Sequence, residues 1–144
     1  MSTSMVLMVF YALVGLILGS FAGCLAYRLS TGESVTNPAR SYCPKCRTLL
    51  HWYDNIPVLS YFVLRGKCRS CGEPISARYL FAELAMGCGG LILGGRQISM
   101  PGVVLGMTVL FILVVATAWV DTIGRLFNVG WAFVVGLLVV MALA

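Results

Sequence analysis

Uncharged apolar runs dominate the chain, and four of them have the length to cross a bilayer, which takes about 20 residues per helix. Residues 5–27 contain no charge. Residues 79–95 are interrupted only by Glu83, and residues 100–120 are uncharged and open with Pro101, which sits in the first turn where a missing N–H costs little. Residues 126–144 carry no charge to the last position. The N-terminal run lacks the Lys/Arg stretch of a cleavable signal peptide, so it reads as a permanent span. Gly15, Gly19 and Gly23 recur every four residues, as do the pairs Gly90/Gly94 and Gly102/Gly106. Small residues at this spacing let helices approach closely in lipid, and packing within one bundle is a simpler reading than dimerisation. The pattern predicts an all-α polytopic membrane protein with about four transmembrane helices. Its parts are a first span over 1–27, a polar loop over 28–78 and further spans over 79–144.

Composition strengthens this reading. The chain is 60% hydrophobic and 10% charged, whereas a soluble domain carries charge on about a quarter of its residues. Long disordered tails and a secreted disulfide scaffold are excluded on the same ground. A net charge of +5 is compatible with a nucleic-acid partner, but its location argues otherwise. Arg28, Arg40, Lys45, Arg47, Arg65, Lys67, Arg69 and Arg78 face only Glu33, Asp54 and Glu73 within the loop, and the remaining charges cancel. The basic character therefore belongs to a membrane-side loop, with anionic lipid rather than nucleic acid as its expected neighbour. The positive-inside rule makes that loop cytoplasmic and the N-terminus external, leaving Arg96 as the one outward basic residue.

The loop holds Cys43-Pro44-Lys45-Cys46 and Cys68-Arg69-Ser70-Cys71, with twenty-one residues between them. Two such knuckles can present four thiolates to one Zn²⁺, and Pro44 and Gly72 suit their tight bends. Reduced cytosolic thiols favour metal over disulfides. Four thiolates leave no open position for water, so the expected zinc-ribbon-like site is structural, and it would supply about 10 kcal/mol or more to a loop too short for its own core. Cys24 and Cys88 read as small buried apolar residues. His51 is either a further ligand or a surface residue. The run from Trp52 to Tyr61 either packs against the metal site or lies at headgroup level. Charged residues in spans are functional candidates, which singles out Glu83 and Asp121. Each also has a structural reading: Glu83 paired with Arg28 or Arg78, and Asp121 capping a helix near Arg125.

Taken together, several motifs resemble the bacterial type IV prepilin leader peptidase/N-methyltransferase family, the A24-type aspartic peptidases. They are Gly19-Ser20-Phe21, Tyr27-Arg28-Leu29, Cys43-Pro44-x-Cys46, the stretch from Trp52 to Tyr61, Leu64-Arg65-Gly66-Lys67-Cys68-Arg69-x-Cys71, and Ile75-Ser76-x-Arg78-Tyr79 followed by Glu83. The resemblance covers about half the chain and implies a multi-pass protein of the bacterial inner membrane, serving type IV pili or type II secretion. It implies prepilin or pseudopilin leader peptides as partners and a cytoplasmic zinc loop tied to S-adenosylmethionine-dependent methyl transfer. No glycine-rich nucleotide loop accompanies that implied cofactor. It also implies catalysis by two membrane aspartates. Asp121, in Ala118-Trp119-Val120-Asp121, resembles the first, although Arg125-Leu126-Phe127-Asn128 lacks the proline usual downstream and Leu80 replaces another. The second belongs to a Gly-x-Gly-Asp motif that is absent here, where Asp54 and Asp121 are the only aspartates. An aspartic dyad needs one ionised and one protonated carboxyl group, so one aspartate cannot serve both roles. The chain thus corresponds to an N-terminal half, with Glu83 as a possible further catalytic residue. The alternatives are a non-catalytic homologue that binds leaders or a secretion partner through its zinc loop, and an unrelated membrane zinc-ribbon scaffold.

Overall fold

The computed structural model describes residues 3–96 and 99–124, with side chains as far as residue 116. Helix α1 spans Thr3–Thr31 and outruns the expected end at residue 27. The Ser30 and Thr31 hydroxyls donate to the Tyr27 carbonyl at 2.7 and 3.0 Å, and Gly32, at φ 69°, supplies the left-handed residue that closes the last turn. Arg28 therefore belongs to a helix and not to the loop. After the first knuckle come a 3-10 turn, Trp52–Asn55, and a short helix α2, Leu59–Val63. Helix α3 spans Ala77–Gly95 and is capped by Ser76, whose hydroxyl accepts the Arg78 N–H. Helix α4 spans Met100–Gly124. The described residues contain no strand, only isolated bridges pairing Tyr42 with Leu49 and Lys67 with Pro74. The expected fourth span, 126–144, lies outside the described residues.

Helices α1 and α3 run antiparallel with their backbones touching. Gly23 lies against the Tyr79 ring, Gly19 against Ala82 and Glu83, and Gly15 against Met86, while Gly90 and Gly94 sit against Tyr11 and Met8. A Cβ placed on Gly19 would stand 2.6 Å from the Glu83 Cα, closer than any real contact. These glycines are thus spent inside one bundle. Helix α4 completes it: Ala22, Ala82, Met86, Leu93, Val103, Met107, Leu110 and Val114 form the buried core, and Phe21 stacks on Phe111. Phe10, Leu13, Ile17 and Phe21 of α1 remain exposed. By length and composition α1 is able to cross a membrane, whereas the apolar segment Met100–Ala116 is shorter. Arg28, only 3% exposed, joins this bundle to the loop. Its guanidinium donates to the carbonyls of Ser34, Val35 and Arg40 at 2.6 to 3.1 Å and lies over the Tyr42 ring.

Candidate metal centre and adjoining cavity

Both knuckles are built to one plan. In the first, Cys43 N–H donates to the Thr48 carbonyl and Arg47 N–H returns to the Cys43 carbonyl. In the second, Cys68 N–H donates to the Glu73 carbonyl and Gly72 N–H returns to that of Cys68. Each turn requires a left-handed residue, supplied by Arg47 at φ 59° and by Gly72 at φ 72°. Gly72 does this without steric cost, whereas Arg47 bears it and is held by an ion pair to Glu33 at 2.8 Å and by stacking on Tyr42.

This shared geometry converges four free sulfurs, those of Cys43, Cys46, Cys68 and Cys71, within 4.8 Å of one another. Cys43 Sγ and Cys71 Sγ stand 3.8 Å apart. A tetrahedron of thiolates about 2.3 Å from a central zinc has edges of about 3.8 Å, so the cluster fits that ion and can hold a metal. Thr48, through its hydroxyl at 3.4 Å and its N–H, lowers the Cys46 thiol to about 6. The Cys71 N–H likewise lowers Cys68. The Glu73 N–H favours the Cys71 thiolate, yet desolvation and the three neighbouring sulfurs outweigh it and push that thiol up to about 12. A divalent cation would remove this repulsion. His51 is exposed and stacked on Tyr53, apart from the cluster.

Asp54 braces the second knuckle. Its carboxylate is 3% exposed and accepts both Nε and Nη2 of Arg69, at 2.9 and 2.7 Å. Beneath the knuckles lies a cavity of about 430 Å³. Cys43 and Cys68 form its roof, Ser20 and Tyr27 of α1 with Tyr79 and Glu83 of α3 its floor, and Tyr61 of α2 part of its wall. Glu83 is buried, and its Oε2 accepts the Val58 N–H at 2.7 Å. Val58 itself has a positive φ, 62°, at the centre of a tight turn in which the Leu59 N–H donates to the Pro57 carbonyl. Of the two partners expected for Glu83, Arg28 and Arg78, Arg28 is instead engaged with loop carbonyls. Cys24 lines the cavity half-buried, and Cys88, expected inside, is exposed on α3. Asp121 falls within α4, but its side chain lies outside the described residues, as do Arg125 and Asn128.

Residues 13–96 match the bacterial peptidase A24 N-terminal domain. The chain belongs to this family. Its relatives include the prepilin leader peptidase/N-methyltransferase of Myxococcus xanthus, 47% identical over 79 residues, covering 55% of this chain and 23% of that protein. The Vibrio cholerae protein of the same name is 44% identical over 87 residues, covering 56% and 34%. That of Klebsiella pneumoniae is 40% identical over 119 residues, covering 78% and 51%. The chain thus spans between about a quarter and a half of these relatives. No solved structure matches it. The matched segment of the A24 N-terminal domain runs from α1 through both knuckles to the end of α3, so it includes the cysteine cluster, the Arg28 anchor and the cavity with Glu83.

Proposed function

We propose that this chain acts as the N-terminal, methylation-linked part of a prepilin leader peptidase/N-methyltransferase of type IV pilus or type II secretion systems. The observation that carries this reading is the cavity lined by Cys43 and Cys68 of the cluster together with residues of α1 and α3, within the family-matched segment. A structural Zn²⁺ on Cys43, Cys46, Cys68 and Cys71 holds the roof of the cavity. The trimmed end of a prepilin or pseudopilin enters below it, and S-adenosylmethionine supplies the methyl group. The chain is organised as a first span within α1, a cytoplasmic loop between α1 and α3 and the start of the peptidase region from α3, in the bacterial inner membrane with its N-terminus outside. Asp121 is the first peptidase aspartate.

The test is methyl transfer from labelled S-adenosylmethionine to a trimmed pilin peptide by purified, zinc-analysed protein. About one zinc per chain and incorporation that is lost in Cys43→Ser and Cys71→Ser support the reading. Metal-free protein, or both variants with full metal and full transfer, would overturn it.

A second reading, a non-catalytic homologue that binds leaders through its cysteine loop, is favoured by one observation. Asp54 is committed to Arg69, so it is not free to act as a catalytic carboxylate. Leader binding in detergent without methyl transfer would select it.

A further inference from the structure

Between the knuckles, residues 56–64 carry no charge. Helix α2 divides them into two faces. Ser60, Tyr61 and Leu64 line the cavity, while Leu59, Phe62 and Val63 point away and are 56%, 64% and 65% exposed. Residues at i, i+3 and i+4 are neighbours on a helix, so these three side chains form a single apolar stripe. Isolated exposed apolar residues are ordinary, but a contiguous stripe on the outer face of a cavity wall calls for a covering medium.

The depth of α2 identifies that medium. Val58, which opens α2, is tied by its N–H to Glu83. Glu83 lies six residues into α3, about 9 Å along the axis from Ala77, and helical side chains lean toward the N-terminus. The start of α2 is therefore held beside the opening turns of α3, level with the stretch between Arg78 and Glu83, and not above the helix ends. In a bundle that crosses a bilayer with Arg78 at the water side, this is the boundary between headgroups and acyl chains. Amphipathic helices lie there with their apolar face about 5–10 Å deep. Immediately after α2 the chain reverses through left-handed Arg65 and Gly66, and exposed Arg65 and Lys67 follow the stripe closely enough to meet phosphates.

We propose that α2 is an interfacial helix, with Leu59, Phe62 and Val63 inserted among the acyl chains of the bilayer that α1 crosses and Arg65 and Lys67 set against lipid phosphates. The proposal rests on the membrane reading above and is independent of the methyl-transfer assignment. Lipid then backs one wall of the cavity, and Tyr61 on the inner face of α2 is positioned by the bilayer as well as by the protein.

Fluorescence quenching in bilayers tests this. In a full-length chain carrying Trp52→Phe, Trp119→Phe and Trp131→Phe, a single tryptophan is introduced by Phe62→Trp or Val63→Trp, with Ile17→Trp as the spanning control. The proteins are reconstituted in phosphatidylcholine and phosphatidylglycerol, with bromine placed high on the acyl chain or near its end. The expected result is about twofold quenching of the residue 62 or 63 probe by the high bromines, and stronger quenching of the residue 17 probe by the deep ones. If the Ile17→Trp probe is quenched while the residue 62 and 63 probes are not, water, a second copy or another protein covers the stripe and the docking proposal fails alone. If no probe is quenched, the membrane reading fails and takes the proposal with it.

Discussion

Cys71 faces three other sulfurs, and its thiol, pushed up to about 12, is protonated at neutral pH, whereas Cys46, lowered to about 6, is already largely thiolate. Metal must displace the Cys71 proton throughout the range between these values. At pH 7, zinc binding should therefore release at least one proton, and affinity should rise at least about tenfold per pH unit from about 6 upward. Below about 6 the Cys46 proton adds to the competition, and affinity falls more steeply. Titration calorimetry in buffers of different ionisation enthalpy measures the release, and an enthalpy independent of buffer would contradict it. The four cysteines were legible from their spacing alone. Arg28, Arg47 and Asp54 were not: a buried arginine anchor, a left-handed arginine and a carboxylate clamped by Arg69 become visible only when the loop is folded back on α1 and on itself.

At the level of elements, the hydrogen bond from Val58 to Glu83 is a second joint between the loop and the bundle, beside Arg28. Glu83→Gln keeps a carbonyl acceptor at this position, whereas Glu83→Ala leaves the part-buried Val58 N–H without it, at a cost of about 1 kcal/mol. Hydrogen exchange across 56–64 should accelerate markedly in the alanine variant and only slightly in the glutamine variant, with α1 and α3 unchanged. Equal acceleration in both would mean that the bond does not hold α2. The helices themselves were foreshadowed by the uncharged runs, and the glycine spacing indicated which faces meet. Their ends were not, because the Ser30 and Thr31 hydroxyls extend α1 through polar residues that read as loop. Helix α2 was also hidden, since five residues are too few for a periodic signal, and its two faces are distinguished only by the cavity on one side.

For the molecule as a whole, the arrangement of the described helices sets what the chain can do unaided. Asp54 is fixed in the loop by Arg69, so it is not free to serve as a second carboxylate beside another aspartate. The 144-residue chain alone is expected to leave a full-length prepilin uncut, since losing one member of a catalytic unit costs orders of magnitude in rate. Gel analysis of the incubated substrate checks this, with Asp121→Asn as the control. Cleavage that vanishes in Asp121→Asn would point to two chains each contributing Asp121. Orientation is testable separately. With native thiols controlled, an impermeant reagent on intact cells should label Ser99→Cys and spare Thr36→Cys.

The paired construction of the knuckles has one more consequence, for the rate of exchange. The first cysteine of each pair, Cys43 and Cys68, is buried, while the second members, Cys46 and Cys71, are more open, Cys71 the more so of the two. A chelator or an oxidant thus meets the cluster along a single edge, and Cys71 is the first sulfur it can reach. Loss of metal would begin there, with the other three ligands still in place and able to recapture the ion. Only after a second thiolate let go would the roof above the cavity come apart.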